Sequence, residues 1–300
     1  MASEWIKYLS NPGSIRVVVL HATELVDEMA KLHALSGGYA RAMGEATVAA
    51  LMLATYAKPG EKVNLQVQGS AGRVAQALVD ASPDGKVRGY LIARESAEFA
   101  EDAPLWGDQG FVSVLRTKGT EGRQPYVGTV PLVSDDLSRV LERYWALSEQ
   151  LPTSLEILVR VESGRVTLAG GILIQALGEA DEQERRWVES RSPLLRQEIA
   201  AVLESPDPAR EVTRVMCVPS GAVPGEKREF LEIGRDPLRF ECQCSWDRVE
   251  RALVLAGVDE LRHSLEREGF AEVSCDFCTR HYHIASDRLK ELIQIAESRG

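Results

Sequence analysis

The chain has 300 residues, of which 44% are hydrophobic, and its 45 acidic and 35 basic side chains give a formal net charge of −10. This length allows two domains, or one domain with an appendage, and the composition allows a substantial core. An acidic surface repels nucleic acid, and the sequence has no dense run of Lys and Arg. Composition therefore disfavours a protein that binds nucleic acid.

The sequence shows neither a membrane span nor an export signal. No apolar run reaches the roughly 18 residues that a spanning helix needs. Residues 1–9 lack a basic segment followed by an apolar one. We therefore expect a cytoplasmic protein that does not associate with membranes. In that reducing compartment, cysteines are expected as thiols or metal ligands and not as permanent disulfides.

Residues 1–178 alternate strand-like and helix-like patterns, which predict an α+β domain with a mainly antiparallel sheet and packed helices. Val63, Leu65 and Val67 alternate with polar neighbours, as in a half-buried strand, and Asp84-Gly85 is a hairpin signal. The predicted strands are 14–20 (after the turn signal Asn11-Pro12-Gly13), 62–68, 73–81, 87–92, 111–117, 125–131, 154–161 and 165–177. The predicted helices are 23–34, 39–57 and 134–150; residues 95–108 are expected as a loop and 118–122 as a turn.

Two details of this domain bear on function. The helix over 134–150 is expected to present one apolar face, formed by Leu137, Val140, Leu141, Tyr144 and Leu147. The pair Gly170-Gly171 lacks the further glycines of a phosphate-binding loop, so a bulge or a close backbone approach within a strand is the better interpretation. No nucleotide fingerprint or Ser/His/Asp arrangement is present, and we do not expect an enzyme.

Residues 179–235 differ from the preceding domain in their composition and in the pattern of charged and apolar residues. A helical pattern continues to about residue 203, a separate short helix is expected over 211–217, and many charges are mixed with apolar residues. One interpretation is a solvated helical linker; the other is a metastable segment that depends on its neighbour for order. Residues 220–226 are expected as a loop, and 229–234 as a short strand or a turn.

Residues 236–300 are expected to form a small C-terminal domain. Ser245 is a predicted N-cap for a helix whose apolar face includes Trp246 and Val249, and Leu289 and Ile295 are expected to face inward from the last helix. About 65 residues is a size at which an apolar core alone is marginal, so a metal is expected as a staple.

The cysteines of this domain have the spacing of a metal site. Cys242 and Cys244 form a C-x-C pair, Cys275 and Cys278 form a C-x-x-C pair, and thirty residues separate the pairs. Four thiolates complete the tetrahedral shell that structural zinc prefers, so we predict one Zn²⁺ held by these residues in the reduced state. The alternative is four unrelated thiols or two structural disulfides.

Three neighbouring residue types have less specific patterns. His281 or His283 is an alternative ligand in place of one sulfur, although four cysteines already fill the shell and a neutral surface histidine is the simpler interpretation. Trp246 is expected to pack in the core. Cys217 lies outside the motif and is expected either as a buried thiol or as a site of mixed-disulfide formation.

These features together resemble the redox-regulated 33 kDa heat-shock chaperone family, also called the 33 kDa chaperonins. The resemblance rests on the cysteine spacing near the C-terminus and covers essentially the whole chain. Further support comes from Tyr144 with the run 148–153 (SEQLPT), Ala169-Gly170-Gly171, and Arg239-Phe240-Glu241-Cys242.

The resemblance implies an ATP-independent holdase that is inactive when reduced and zinc-bound. Oxidation by peroxide or hypochlorous acid, with unfolding heat, would join Cys242 to Cys244 and Cys275 to Cys278, release the zinc and activate the protein. The implied partners are unfolding client proteins and, after oxidation, a second copy of the chain.

Two functions from other classes compete with this one. Cys275 and Cys278 could form the active site of a thiol-disulfide oxidoreductase, but they lie outside any βαβ pattern and a second pair accompanies them. A zinc ribbon that binds nucleic acid is the other alternative, and the acidic charge disfavours it.

Overall fold

The computed structural model describes residues 2–11, 13–94, 103–117, 125–217 and 229–298. By their internal contacts these form two units, Met1–Phe240 and Glu241–Gly300. Pro12 of the first turn signal, residues 95–102 of the expected loop, the turn 118–122 and the loop 220–226 lie outside the described residues. Within the described ranges, no helix is both long and apolar enough to cross a membrane.

The elements follow the predicted order with additions at both ends of the first unit. The strands are β1 Glu4–Ser10, β2 Ile15–His21, β3 Lys62–Gly69, β4 Val74–Ala81, β5 Lys86–Ala93, β6 Gly110–Thr117, β7 Tyr126–Pro131, β8 Thr153–Glu162, β9 Arg165–Ala176, β10 Phe230–Pro237, β11 Arg239–Phe240, β12 Phe270–Ser274 and β13 His281–Ala285. The helices are α1 Thr23–Leu32, α2 Gly37–Ala54, α3 Leu137–Tyr144, α4 Glu182–Glu189, α5 Ser192–Glu204, α6 Pro208–Met216, α7 Trp246–Ala256, α8 Val258–Arg267 and α9 Ser286–Glu297.

The first unit contains two sheets. One has the strand order β10-β1-β2-β9-β8, and the other β11-β5-β4-β3-β6-β7. All pairings are antiparallel except the two-residue pairing of β11 with β5. The predicted α+β class with mainly antiparallel strands is confirmed, and the strands of this unit are divided between two sheets.

Helix α2 lies between the two sheets, and this position accounts for its many small residues. Its buried side chains share one core with β2, β8 and β9 of the first sheet and with β3 to β6 of the second. A Cβ atom on Gly44 would lie 2.8 Å from a methyl of Val26 and 2.9 Å from one of Val159. Small residues on this helix therefore let neighbouring elements approach closely.

The other face of the first sheet is covered by helices α4, α5 and α6. In β2, Val18 and Leu20 face the α2 core, whereas Val17 and Val19 belong to the second cluster, which is buried beneath these helices. Helices α4 to α6, which belong to residues 179–235, contribute these buried apolar side chains to the cluster: Trp187, Val188, Leu195, Ile199, Val202, Leu203, Val212, Val215 and Met216. The interpretation of residues 179–235 as a solvated linker is therefore wrong for the three helices. The metastability of these residues stays a prediction.

Gly170 and Gly171 permit close packing on both faces of the first sheet. A Cβ on Gly170 would lie 2.2 Å from the carbonyl oxygen of Leu20 and 2.8 Å from Leu203 on α5. A Cβ on Gly171 would lie 2.9 Å from Met52 on α2. The predicted close backbone approach is confirmed, and the glycine pair has a packing function.

Replacing Gly170 by Ala is therefore expected to destabilise the first unit. The added methyl has to displace backbone as well as Leu203, so we expect the free energy of unfolding to fall by about 2–3 kcal/mol. Urea unfolding of the purified protein measures this change. Gly178→Ala is the control, because no atom lies within 4 Å of its added Cβ; equal stability of the two variants would contradict the packing role.

The helix over 134–150 differs from the prediction at its C-terminal end. Asp136 caps α3 by accepting hydrogen bonds from the backbone N–H groups of Ser138 and Arg139. A π-helical turn, Trp145–Glu149, follows directly. This wider turn changes the angular spacing of the side chains, and Leu147, expected on the apolar face, is 61% exposed.

Candidate metal centre

The second unit consists of three helices, α7 to α9, and the hairpin β12–β13. Its core among the described residues is a set of nine buried side chains: Val249, Leu261, Ala271, Tyr282, Ile284, Leu289, Leu292, Ile293 and Ala296. Below about 70–80 residues, such a core rarely supplies more than 3–5 kcal/mol of stability. The unit therefore needs a further source of stability.

Two expected core positions in this unit are wrong. Trp246 is 52% exposed, because it is the first residue of α7 and contacts Tyr282 edge-on at 5.0 Å between ring centroids. Ile295 is 36% exposed. The inward stripe of α9 runs through Leu289, Leu292, Ile293 and Ala296, which matches helical spacing and turns Ile295 away.

The two cysteine pairs are positioned by different local structures. Cys242 and Cys244 lie on the irregular segment before α7, whose first turn is capped as predicted by the Ser245 side chain accepting from the Arg248 N–H. Cys275 and Cys278 lie in the turn between β12 and β13. The Cys275 N–H donates to the Arg280 carbonyl at 3.0 Å, and the Thr279 N–H donates to the Cys275 carbonyl at 2.8 Å.

All four sulfur atoms meet at one place. The Sγ atoms of Cys242, Cys244, Cys275 and Cys278 lie within 4.8 Å of one another. The Sγ distance is 3.7 Å for Cys242 and Cys275 and 3.3 Å for Cys244 and Cys278. A tetrahedral shell with Zn–S bonds of about 2.3 Å has sulfurs about 3.8 Å apart. The donor set and its spacing therefore fit a tetrahedral, thiophilic ion such as zinc.

Three thiols of the cluster have shifted pKa values, and the shifts differ in direction. Burial alone would raise the pKa of Cys244, but hydrogen bonds from the Tyr282 hydroxyl and the other thiols outweigh it and lower the pKa to about 7. Burial raises the pKa of Cys275, and it raises the pKa of Cys278 to about 12. Without a cation, burial therefore favours the protonated thiol at Cys275 and Cys278, and a bound cation would oppose this effect.

The remaining sequence candidates lie outside the sulfur cluster. His281 makes a 2.9 Å hydrogen bond with Ser274, and the His283 ring packs against Phe270 at 4.9 Å between centroids. Neither histidine belongs to the group of residues that can share an ion. Cys217 follows α6, is partly exposed and has no part in the cluster, so the expected buried thiol is not found.

Tyr282 is a residue of this site that was not predicted from the cysteine spacing. Its hydroxyl donates a hydrogen bond to Cys244 Sγ, with 3.1 Å between the oxygen and the sulfur. The alternation of β13 places Tyr282 and Ile284 inward. That period-two pattern is the signal in the sequence that points Tyr282 toward the interior of the unit.

Comparison with known proteins identifies the family. The family model described as Hsp33 protein matches residues 3–285. The chain belongs to the Hsp33 family. Its relatives include the 33 kDa chaperonin of Nostoc punctiforme, 35% identical with 98% of this chain and 96% of the relative covered, and that of Trichodesmium erythraeum, 33% identical with 98% and 94% covered.

A solved Hsp33 structure has the same fold. The crystal structure of the 33 kDa chaperonin from Thermotoga maritima superposes with a TM-score of 0.79 at 26% sequence identity. The superposition covers 99% of each chain. Both the first unit and the cysteine-bearing unit therefore lie within the region of similarity to this Hsp33 homologue.

Proposed function

We propose that this Hsp33 chain is an ATP-independent, redox-regulated holdase of the cytoplasm. In the reduced state one Zn²⁺ is held by Cys242, Cys244, Cys275 and Cys278, and the protein is inactive. Oxidation converts these thiols to disulfides and activates binding of unfolding proteins. The single observation that carries the proposal is the meeting of four sulfurs within 4.8 Å in a chain of this family.

The four-thiolate site supports the proposal through stability and reactivity together. A bound zinc ion would cross-link the two cysteine pairs and hold their sulfurs as thiolates at neutral pH. Metal binding contributes about 10–16 kcal/mol of apparent folding free energy in zinc-finger peptides. That contribution exceeds what the small apolar core of this unit supplies.

The oxidation step balances with a peroxide as oxidant. One thiolate attacks a peroxide oxygen, the O–O bond breaks, and a sulfenic acid and water form after one proton is taken up. The second thiolate of the pair attacks the sulfenic sulfur, the S–S bond forms, and the hydroxide leaves as water with a second proton. Each disulfide thus transfers two electrons to one peroxide. The proposed pairs are Cys242 with Cys244, and Cys275 with Cys278.

The covered face of the first sheet is the proposed client-binding surface. It is apolar across three strands, with Ile6 and Tyr8 on β1, Val17 and Val19 on β2, and Ile172 and Ile174 on β9. If α4 to α6 detach, this face becomes an exposed apolar sheet. Such a surface suits unfolded chains that expose apolar residues, and a second copy of the chain in a homodimer.

The helices over this face have features of a marginally stable segment. Arg191 is fully buried, with its guanidinium 4.7 Å from the centre of the Trp187 ring, and burial lowers its pKa. A buried cation costs free energy that apolar packing has to offset. Ser192 donates to Glu142 at 2.5 Å, and Arg196 bridges Asp136 and Glu156. A few polar contacts thus anchor α5.

Chain connectivity supports a coupling between the cysteines and this segment. Phe230, at the start of β10, packs against the cluster beneath α4 to α6. The strand β10 ends at Pro237, and Cys242 follows five residues later. Between the strand and the cysteines, the Leu238 N–H donates to the Ser3 carbonyl and β11 pairs with β5, so loss of order after residue 240 would reach β10 only through this short junction.

The order of disulfide formation is a testable consequence. The C-x-C disulfide closes a smaller ring and is more strained, and strain makes a disulfide easier to reduce. We expect Cys275–Cys278 to form first during peroxide treatment and Cys242–Cys244 to need further unfolding. Mass mapping of disulfides over an oxidation time course measures the order. Early Cys242–Cys244 with late Cys275–Cys278 would contradict this prediction.

The function itself is tested by light scattering of a client protein that aggregates on heating. The zinc-loaded reduced form and the peroxide-treated form are compared at equal concentration. Suppression of scattering by the oxidised form alone supports the switch. Equal suppression by both forms would indicate a constitutive holdase, and suppression by neither, combined with insulin reduction, would favour an oxidoreductase.

A further inference from the structure

Tyr282 links the core of the second unit to the sulfur cluster. The side chain is 2% exposed, and the inward alternation of β13 directs it into the core. Its hydroxyl lies 3.1 Å from Cys244 Sγ. The residues are 38 positions apart, so the contact depends on the folded hairpin packing against the segment before α7.

The direction of this hydrogen bond follows from the chemistry of its two atoms. A cysteine sulfur that holds a metal is a thiolate, which only accepts hydrogen bonds, whereas the Tyr282 hydroxyl carries a hydrogen that it can donate. Tyr282 is therefore the donor and Cys244 the acceptor.

The ring of Tyr282 is also restrained. Trp246 packs against it edge-on, with the ring planes 87° apart and the centroids 5.0 Å apart. Trp246 is two residues after Cys244, so the same aromatic contact fixes the backbone that carries this sulfur. Two further contacts of the cluster join sulfur to sulfur, whereas this contact comes from a side chain of the hydrophobic core.

We propose that Tyr282 is a positioning residue that holds the Cys244 sulfur on the metal and slows its oxidation relative to the Cys275 and Cys278 pair. This inference rests on the proposed function and deepens it. A hydrogen bond to a thiolate stabilises the charged ligand and reduces its electron density, which lowers its rate of attack on a peroxide. Outer-shell partners of metal ligands affect metal affinity by about 10–100-fold.

The test compares Tyr282→Phe with Tyr126→Phe. The first variant removes the hydroxyl and keeps the ring that packs on Trp246. The second is a matched control, because the Tyr126 hydroxyl donates a hydrogen bond of the same 3.1 Å length to Ser148 in the first unit. Zinc affinity is measured by competition with a chromogenic chelator, and disulfide order by mass mapping during peroxide treatment.

We expect Tyr282→Phe to weaken zinc binding about tenfold or more and to form the Cys242–Cys244 disulfide no later than Cys275–Cys278. Tyr126→Phe should match the unmodified chain in both measurements. A Tyr282→Phe protein with unchanged affinity and unchanged disulfide order would overturn the proposal. If the unmodified chain binds no zinc, the proposed function fails instead, so the two failures are distinguishable.

A second variant covers the case in which Tyr282→Phe does not fold. Trp246→Leu changes a half-exposed side chain and removes the ring that packs edge-on against Tyr282, while the Tyr282 hydroxyl and all four cysteines stay in place. Because the Tyr282 ring is then less restrained, we expect zinc binding to weaken by less than in Tyr282→Phe. Unchanged zinc affinity in this variant would contradict the positioning role of this side chain.

Discussion

Replacing Cys278 by Ser is expected to unfold residues 241–300 under reducing conditions while the first unit stays folded. The variant removes one of four sulfurs that meet within 4.8 Å. An apolar core of this size rarely supplies more than about 3–5 kcal/mol, whereas structural zinc contributes about 10–16 kcal/mol in zinc-finger peptides. Without the metal the balance favours the unfolded state. Chelation of zinc from the unmodified protein should have the same effect.

Hydrogen exchange measures this outcome segment by segment. We expect amides of α7, α8, α9 and the hairpin β12–β13 to lose their protection, while those of α2 and of β3 to β6 keep theirs. Cys217→Ser is the matched control, because it also changes one cysteine to serine but lies outside the cluster. Retained protection throughout residues 241–300 in Cys278→Ser would show that the metal does not stabilise this unit.

A charge placed beneath α5 is expected to activate the reduced, zinc-loaded protein. Val202 is fully buried in the apolar cluster between α5 and the first sheet. Val202→Asp loses about 1.5–3 kcal/mol of apolar burial and adds the several kcal/mol that an unpaired buried carboxylate costs. We expect helices α4 to α6, which already bury Arg191, to lose their packed state at that cost, so that the sheet face becomes available to clients without oxidation.

Ala201→Asp is the control for this prediction. Residue 201 precedes Val202 on the same helix but is exposed, so its carboxylate stays in water and should leave the packing of α5 intact. Light scattering of a heat-aggregating client, with both variants zinc-loaded and reduced, gives the comparison. Suppression by Val202→Asp and not by Ala201→Asp is expected. If Val202→Asp exposes the face and still binds no client, this face is not the client surface.

Local patterns in the sequence predicted much of the fold. Alternation and helical spacing located the strands and helices of residues 14–177 to within a few residues. The two cysteine pairs predicted a four-sulfur cluster. The cysteines of each pair are so close in the sequence that their sulfurs can reach one ion without help from distant contacts. The glycine pair 170–171 was correctly assigned to a close approach within a strand, because only a missing side chain permits that distance.

The features that sequence reasoning missed depend on contacts between distant residues. Strand β1 was not predicted, and its edge is completed by β10 more than two hundred residues later, with Trp5 donating to Asp236 at 2.7 Å. Helix α2 packs on both sheets. The spacing of hydrophobic residues within a single strand or helix does not indicate this arrangement. The hydrogen bond from Tyr282 to Cys244 likewise joins a strand to a loop 38 residues away.

Hydrogen exchange of α4 to α6 before and after peroxide oxidation tests most directly the claim that oxidation of four cysteines uncovers the first sheet. The account predicts that amides of residues 182–216 lose protection in the oxidised, zinc-free protein, while those of α2, β3, β4 and β6 stay protected. Client suppression should rise in parallel with this loss. An oxidised protein that suppresses aggregation while α4 to α6 remain fully protected would contradict the account.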